Sequence, residues 1–277
     1  MGMLVNGAWF DDDPPAGGGG QFLRPDSMFR DRVTRDGASG FKAEAGRYHL
    51  YVAHGCPWAH RTLIYRSVKK LQGAITVAYS VPGLRQQGWT FADDPAFPDC
   101  TPDGVNGFRY LHQAYTATDP HYTGKVTVPT LWDTKTQRIV NNGVYRCGFA
   151  KSQAAYEQAY DALFATLDEL EARLSKQRYL LGRQVTEADW RLFPTLVRFD
   201  VAYFSLFRCN KKRIADYPNL SSYMRELYAL PGIAETVKAR YYVINYWSIA
   251  RLNPLGIIPK GTPVDYTQPH DRARLAN

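Results

Sequence analysis

The chain has 277 residues, enough for two domains, and its 45% hydrophobic and 14% aromatic content excludes wholesale disorder. Net charge is +8 at neutral pH, but the basic residues are scattered and form no basic–aromatic platform, so nucleic acid is not the expected partner, and attraction of small anionic substrates fits the charge equally well. The cysteines Cys56, Cys100, Cys147 and Cys209 match no zinc spacing and no disulfide framework, and the sequence shows neither a secretory leader pattern nor an apolar run of membrane-spanning length, so a cytoplasmic protein is expected.

Residues 1–47 read as an irregular lead-in. Asp11-Asp12-Asp13-Pro14-Pro15 and Gly17-Gly18-Gly19-Gly20 are poor helix and strand formers. Phe22, Phe29 and Phe41 are the residues in it suited to docking on a domain. Tyr48-His49-Leu50-Tyr51-Val52-Ala53 then reads as a buried strand, followed by a helix over about 57–70 and a second strand, Ala74-Ile75-Thr76-Val77-Ala78-Tyr79. A βαβ start implies parallel pairing.

At the first strand-to-helix turn stands His54-Gly55-Cys56-Pro57-Trp58-Ala59-His60-Arg61. Pro57 suits the first helical position, where its missing N–H does no harm. A thiol at that place lies near unpaired helix N–H groups and the positive end of the helix dipole. Both favour the thiolate, which is the nucleophilic form. His54, His60 and Arg61 add positive charge nearby in sequence. The alternative is a cysteine packed as a small hydrophobe. Position 59 is Ala, so there is no C-x-x-C pair, and redox chemistry here uses one protein thiol and one brought by a small molecule.

A Gly/Pro-rich stretch from Pro82 to about Gly107 contains Gly88-Trp89-Thr90-Phe91, where Trp89 is either a loop anchor or a binding group at a site mouth. A short helix is expected over Phe108–Tyr115. Lys125-Val126-Thr127-Val128-Pro129-Thr130-Leu131-Trp132-Asp133 has strand character interrupted by proline, and its position after a βαβ unit suggests a cis Val128–Pro129 bond. That geometry turns the Val128 main chain outward as an edge for an extended peptide. Asp133-Thr134-Lys135-Thr136 reads as a hairpin turn into Arg138-Ile139-Val140. A βαβ unit followed by ββ, with proline before the first of that pair, is the pattern of a thioredoxin fold.

The second half is helical. Apolar residues from Gln153 to Leu174 repeat at helical spacing. Thr186-Glu187-Ala188-Asp189 is a capping box with a structural Asp189, and further helices are expected over about 219–229 and 231–242. The tail from Asn253 reads as extended.

A thioredoxin-like half, a lone Cys-Pro at its first helix and an all-helical second half together resemble the glutathione transferases. Cys56-Pro57-Trp58-Ala59-His60-Arg61, Gly88-Trp89-Thr90-Phe91, Val126-Thr127-Val128-Pro129, Asn142-Gly143-Val144-Tyr145-Arg146 and Asn253-Pro254-Leu255-Gly256-Ile257 are similar to the Xi class, the glutathionyl-hydroquinone reductases. The resemblance implies an α/β thioredoxin-like domain over 1–142, holding glutathione, and an all-α glutathione-transferase domain over 143–277, holding the aromatic substrate. It implies Cys56 as nucleophile. It implies Trp89, Lys125, Val128 and Pro129 at glutathione, with Val128 acting through its main chain, and Tyr145 and Tyr246 over the aromatic ring. The partners it implies are glutathione, as co-substrate, and aromatic glutathionyl conjugates, with a homodimer as the assembly. A thioltransferase, a dehydroascorbate reductase and a non-catalytic binding protein of the same fold are the competing readings.

One departure stands out. In the family the second antiparallel strand leads through Asn-Asn to a Glu-Ser pair that grips the glutamyl end of glutathione, then to a helix and a linker. Here Asn141-Asn142 runs straight into Gly143-Val144-Tyr145. Either the chain lacks the segment, which predicts a bare sheet face and a weaker grip on glutathione, or the numbering closes over a segment that exists. The second is preferred, because an uncovered sheet face puts a large apolar patch in water.

Overall fold

Two short strands begin the molecule, where the sequence predicts irregular chain. In the computed structural model, which describes residues 2–11, 28–83, 86–142, 152–261 and 264–275, β1 (Met3–Val5) and β2 (Ala8–Phe10) pair antiparallel. Val5 faces Ala8 across a two-residue loop, Asn6-Gly7, with both φ angles positive (46° and 78°). Asn-Gly is the pair that a tight hairpin turn demands. The acidic, proline- and glycine-rich stretch that follows it hid this signal. Phe22 lies outside the described residues, whereas Phe29 stacks on Tyr122 and meets Tyr115 edge-on.

The central sheet is built from β3 (Tyr48–Ala53), β4 (Ile75–Ser80), β6 (Thr130–Asp133) and β7 (Arg138–Asn142) in the order β4-β3-β6-β7. β3 and β4 are parallel through the crossover helix α1 (Pro57–Val68), while β6 and β7 run antiparallel. All six residues of β3 are buried, as befits a strand covered on both faces. This is a thioredoxin-like sheet. The first strand of the ββ pair starts after Pro129, as expected, whereas Gly124–Lys125 ahead of it forms β5, an unforeseen short strand that joins β1 at the edge of the hairpin. Proline has no N–H to give a ladder, so the pairing restarts beyond it. The helix expected at Phe108 starts later, as α2 (Leu111–Thr118), with Tyr110 as N-cap.

The 277-residue sequence is continuous across Asn142 and Gly143, so the family's Glu-Ser pair and third helix are missing from the chain itself, contrary to the preferred reading. The bare sheet face expected from that loss is not found at β7. Phe41 of the lead-in packs with Tyr48 and Val140, against which Ile75 and Leu131 lie, and Val140 is only 1% exposed. A segment ahead of the sheet supplies cover there that a helix after it does not.

Residues up to 142 form one compact unit and those from 152 on a second. The second is helical. α3 (Gln153–Leu174) starts at Ser152, whose side chain accepts the Ala155 N–H. α4 (Glu187–Arg198) starts with the expected capping box: Asp189 accepts the Thr186 N–H at 2.7 Å, and its other oxygen takes the Leu180 N–H and the Tyr223 hydroxyl. A π-helical turn (Phe199–Tyr203) and α5 (Phe204–Leu206) continue it. α6 (Pro218–Ala229) matches expectation. The helix expected over 231–242 does not form as such. Gly232 adopts φ 77°, a short 3-10 turn covers Ala234–Thr236, and α7 (Ala239–Trp247) starts only after the extended Val237. Among the described residues no helix is long and apolar enough to cross a membrane.

Candidate active site

β3 ends at Ala53, and the chain turns through Gly55 so that Cys56 becomes the N-cap of α1, with extended backbone (φ −80°, ψ 120°) and Pro57 behind it. The Cys56 carbonyl accepts the His60 N–H, the first bond of the helix. No acidic residue stands in the first turn, so no carboxylate competes for the positive end of the dipole. The thiol is buried, at 8% exposure. It stands at the helix start, as expected, and its side chain makes no capping bond to the helix N–H groups. It turns to the next loop, with Sγ 3.4 Å from the Val128 carbonyl oxygen, to which it donates.

Val128 is brought there by a cis bond to Pro129. The registered pairs of β6 start at Thr130, so the Val128 main chain lies ahead of the ladder. The loop is fixed from behind by Tyr115: its hydroxyl donates to the Thr127 carbonyl and accepts the Thr127 N–H, both at 3.2 Å, while the Thr130 hydroxyl donates to the same carbonyl at 2.7 Å. A cysteine sulfur and the main chain of Val128, ahead of the strand ladder, therefore share one buried corner. That is the arrangement needed to hold an extended thiol peptide beside a nucleophile.

The other expected residues are placed by separate contacts. Trp89 is buried, and its carbonyl accepts the Leu111 N–H at the start of α2. Lys125 lies in β5 opposite Met3, with its carbonyl accepting the Tyr122 hydroxyl. Of the positive groups near Cys56 in sequence, Arg61 lies over the Trp58 ring at 4.4 Å and His54 stacks on Tyr79 at 4.5 Å. Burial pushes the Tyr79 hydroxyl above its ordinary value. Tyr145 lies outside the described residues.

Tyr246 sits in the helical unit, on α7, 4% exposed. Its hydroxyl meets that of Tyr203 at 2.9 Å, and both rings pack on Phe207. Tyr203 was not singled out from sequence. The signal was available: Tyr203 and Phe207 are four apart and lie on one helical face.

Comparison with known proteins gives consistent matches. The model of the glutathione S-transferase N-terminal domain matches residues 55–145, and that of the C-terminal domain residues 153–226. The glutathionyl-hydroquinone reductase YqjG of Escherichia coli (strain K12) is 42% identical, covering 98% of this chain and 98% of its own. PcpF of Sphingobium chlorophenolicum, with the same enzyme name, is 41% identical over 94% of this chain and 96% of its own. Among solved structures, a Xi class GST from Natrialba magadii superposes with a TM-score of 0.90 at 36% identity, covering 100% of this chain and 98% of that one. Glutathione-bound YqjG gives 0.87 at 38% identity, covering 98% and 99%. The YqjG alignment spans 325 positions against the 277 residues here, so at least 48 of them have no counterpart in this chain.

Proposed function

The chain belongs to the glutathione transferases, in their Xi class, and on that premise we propose that it reduces glutathionyl-hydroquinones to hydroquinones at the expense of glutathione. The observation that carries this reading is the pairing of Cys56, at a helix start, with the main-chain edge of Val128.

In this reading the unit over 1–142 binds glutathione and the unit over 143–277 receives the aromatic ring. The backbone of the conjugate's tripeptide lies along Val128 and occupies the carbonyl that the thiol donates to. Removal of that acceptor withdraws support for the thiol form, and the helix terminus then favours the thiolate. Trp89 and Lys125 supply polar contacts to the tripeptide.

The Cys56 thiolate attacks the thioether sulfur. A sulfur–sulfur bond forms, the carbon–sulfur bond breaks, and its electron pair passes to the ring carbon, which takes up a proton. The products of this step are the hydroquinone and a Cys56–glutathione mixed disulfide. A second glutathione thiolate attacks the glutathionyl sulfur, releasing oxidised glutathione and restoring the Cys56 thiolate. The two sulfurs are oxidised to the disulfide and the ring carbon is reduced, so no further redox partner is needed. Tyr145 and Tyr246 donate hydrogen bonds to the quinol oxygens. The same reading gives the cytoplasm as its compartment and a homodimer as its assembly.

The test compares turnover of a glutathionyl-hydroquinone with that of a small glutathione mixed disulfide. Preference for the conjugate supports the reading. Preference for the disulfide replaces it with a thioltransferase. No calorimetric binding of glutathione makes the chain a non-catalytic member of its family.

A further inference from the structure

The N-terminal hairpin takes no part in the chemistry above, yet it touches both stretches assigned to glutathione. β1 pairs with β5 in the register Met3↔Lys125 and Leu4↔Gly124, so the hairpin sets the backbone of Lys125. Leu4, between the two flanking strands, is fully buried.

From β2, Trp9 lies on the turn that precedes Trp89. A β-carbon added to Gly88 would come within 2.8 Å of the Trp9 ring, and Gly88 adopts φ +75°. Only glycine fits so close an approach in that conformation. The indole also stacks on His112 at 5.0 Å. Its Nε1 donates to Asp11 Oδ1 at 2.7 Å, and the same oxygen accepts the Gln87 N–H at 2.9 Å. These two bonds, that from Trp9 first, hold the Asp11 carboxyl below its ordinary value. His112 Nε2 meets Gln87 Oε1 at 2.9 Å. Trp9, Asp11 and His112 thus grip the two residues before Trp89, while α2 takes the Trp89 carbonyl.

The geometry points to Trp9 as a positioning residue for glutathione binding: it clamps Gln87-Gly88 so that Trp89 is presented to the tripeptide, while the hairpin it belongs to fixes Lys125. This rests on the assignment of Trp89 and Lys125 to glutathione. A loop ordered in advance costs less to immobilise when the ligand arrives, so loosening it weakens binding and leaves the chemical step untouched.

The experiment measures two quantities on Trp9→Ala, Trp9→Phe and Asp11→Ala. The first is hydrogen exchange at Gln87 and Leu111, whose N–H groups bond Asp11 and the Trp89 carbonyl. The second is the split between KM for glutathione and kcat. Faster exchange at both amides and a KM raised on the order of tenfold in Trp9→Ala, with kcat held, are expected, since misplacement from a distance can cost up to a hundredfold. Trp9→Phe keeps the stacking and is expected to fall between. Asp11→Ala removes the shared acceptor without a cavity and is expected to shift both readouts the same way, even if Trp9→Ala fails to fold. Unchanged exchange, or an unchanged KM in protein that binds glutathione, overturns the clamp. Wild-type protein that binds no glutathione overturns the functional reading, and with it the ligand named here, whichever way the exchange turns out.

Discussion

The sulfur of Cys56 and the carbonyl oxygen of Val128 lie 3.4 Å apart, joined by the thiol proton. One residue caps a helix and the other precedes a strand, and the contact spans 72 positions of sequence. The bond is weak and the thiol is not a capping group, so its loss is expected to leave the fold standing. Cys56→Ala is expected to cost no more than about 1 kcal/mol of unfolding free energy. Cys56→Ser puts a preferred N-cap residue in the same place and is expected to hold or raise the thermal midpoint. Both are expected to lose turnover by several orders of magnitude, as removal of a nucleophile does. A melting curve and a steady-state assay on each variant check this, and turnover near wild type in either removes Cys56 from the mechanism.

Arg47 and Asp133 tie the start of β3 to the end of β6 through two bonds, at 2.9 and 2.6 Å, with Asp133 fully buried. Burial opposes ionisation of Asp133. The bonds from Arg47, the Lys135 N–H and the Thr136 hydroxyl outweigh it and hold the carboxyl at about 2. A carboxyl held below its unfolded value of about 3.9 adds stability that is fully present above that value and lost as pH falls through the folded one. The midpoint difference between wild type and Asp133→Asn is therefore expected to be widest near neutral pH and to shrink as pH falls from about 4 towards 2. Melts across that range check it. A difference that stays constant with pH means the carboxylate charge contributes nothing.

The features read well from sequence are those set by local rules. Cys56-Pro57 marked the start of α1, Val128-Pro129 marked the cis bond and the Thr186–Asp189 box marked the start of α4, because proline and capping residues act within a few positions. What was missed depends on distant partners. The pairing of Gly124–Lys125 is decided by β1, more than a hundred positions away, and Phe41, suited to docking from its sequence, has Val140 as a partner that only the fold reveals. Tyr203 gains its interest only from Tyr246, on another helix. The nearest lost signal was Asn6-Gly7, a local rule passed over because its surroundings read as disorder.

Arg272 pins the C-terminal tail to the end of α3. It is fully buried and donates to the carbonyls of Leu174, Gln177 and Arg178 at 2.6–2.7 Å. Carbonyls at a helix end need partners, and here one guanidinium serves the last carbonyl of α3 and two in the turn beyond it. Arg272→Leu is expected to cost about 3 kcal/mol, because buried acceptors are left without donors. Lysine is not expected to rescue it, since an ammonium lacks the forked geometry. Chemical denaturation gives the stability, and limited proteolysis of residues 264–275 shows whether the tail is released. A loss under 1 kcal/mol, by the same principle, means water replaces the guanidinium without penalty.

Tyr203 and Tyr246 separate structural from catalytic use of a phenol, because a hydrogen bond joins their hydroxyls at 2.9 Å. Phenylalanine at either position breaks that bond while the rings keep their packing on Phe207. If the bond serves folding alone, both single variants and the double lose the same stability, about 1 kcal/mol, and kinetics stay as they were. The function proposed for Tyr246 adds a second effect. In the proposed mechanism its hydroxyl donates to the quinol oxygen, so on that proposal Tyr246→Phe is expected to lower kcat/KM for the conjugate by about tenfold or more while KM for the second glutathione holds. Tyr203→Phe removes one contact of the Tyr246 hydroxyl and leaves that hydroxyl in place, so its loss of rate is expected to be the smaller of the two. Equal stability loss with unchanged rates in both variants assigns the pair to packing and removes Tyr246 from the substrate site.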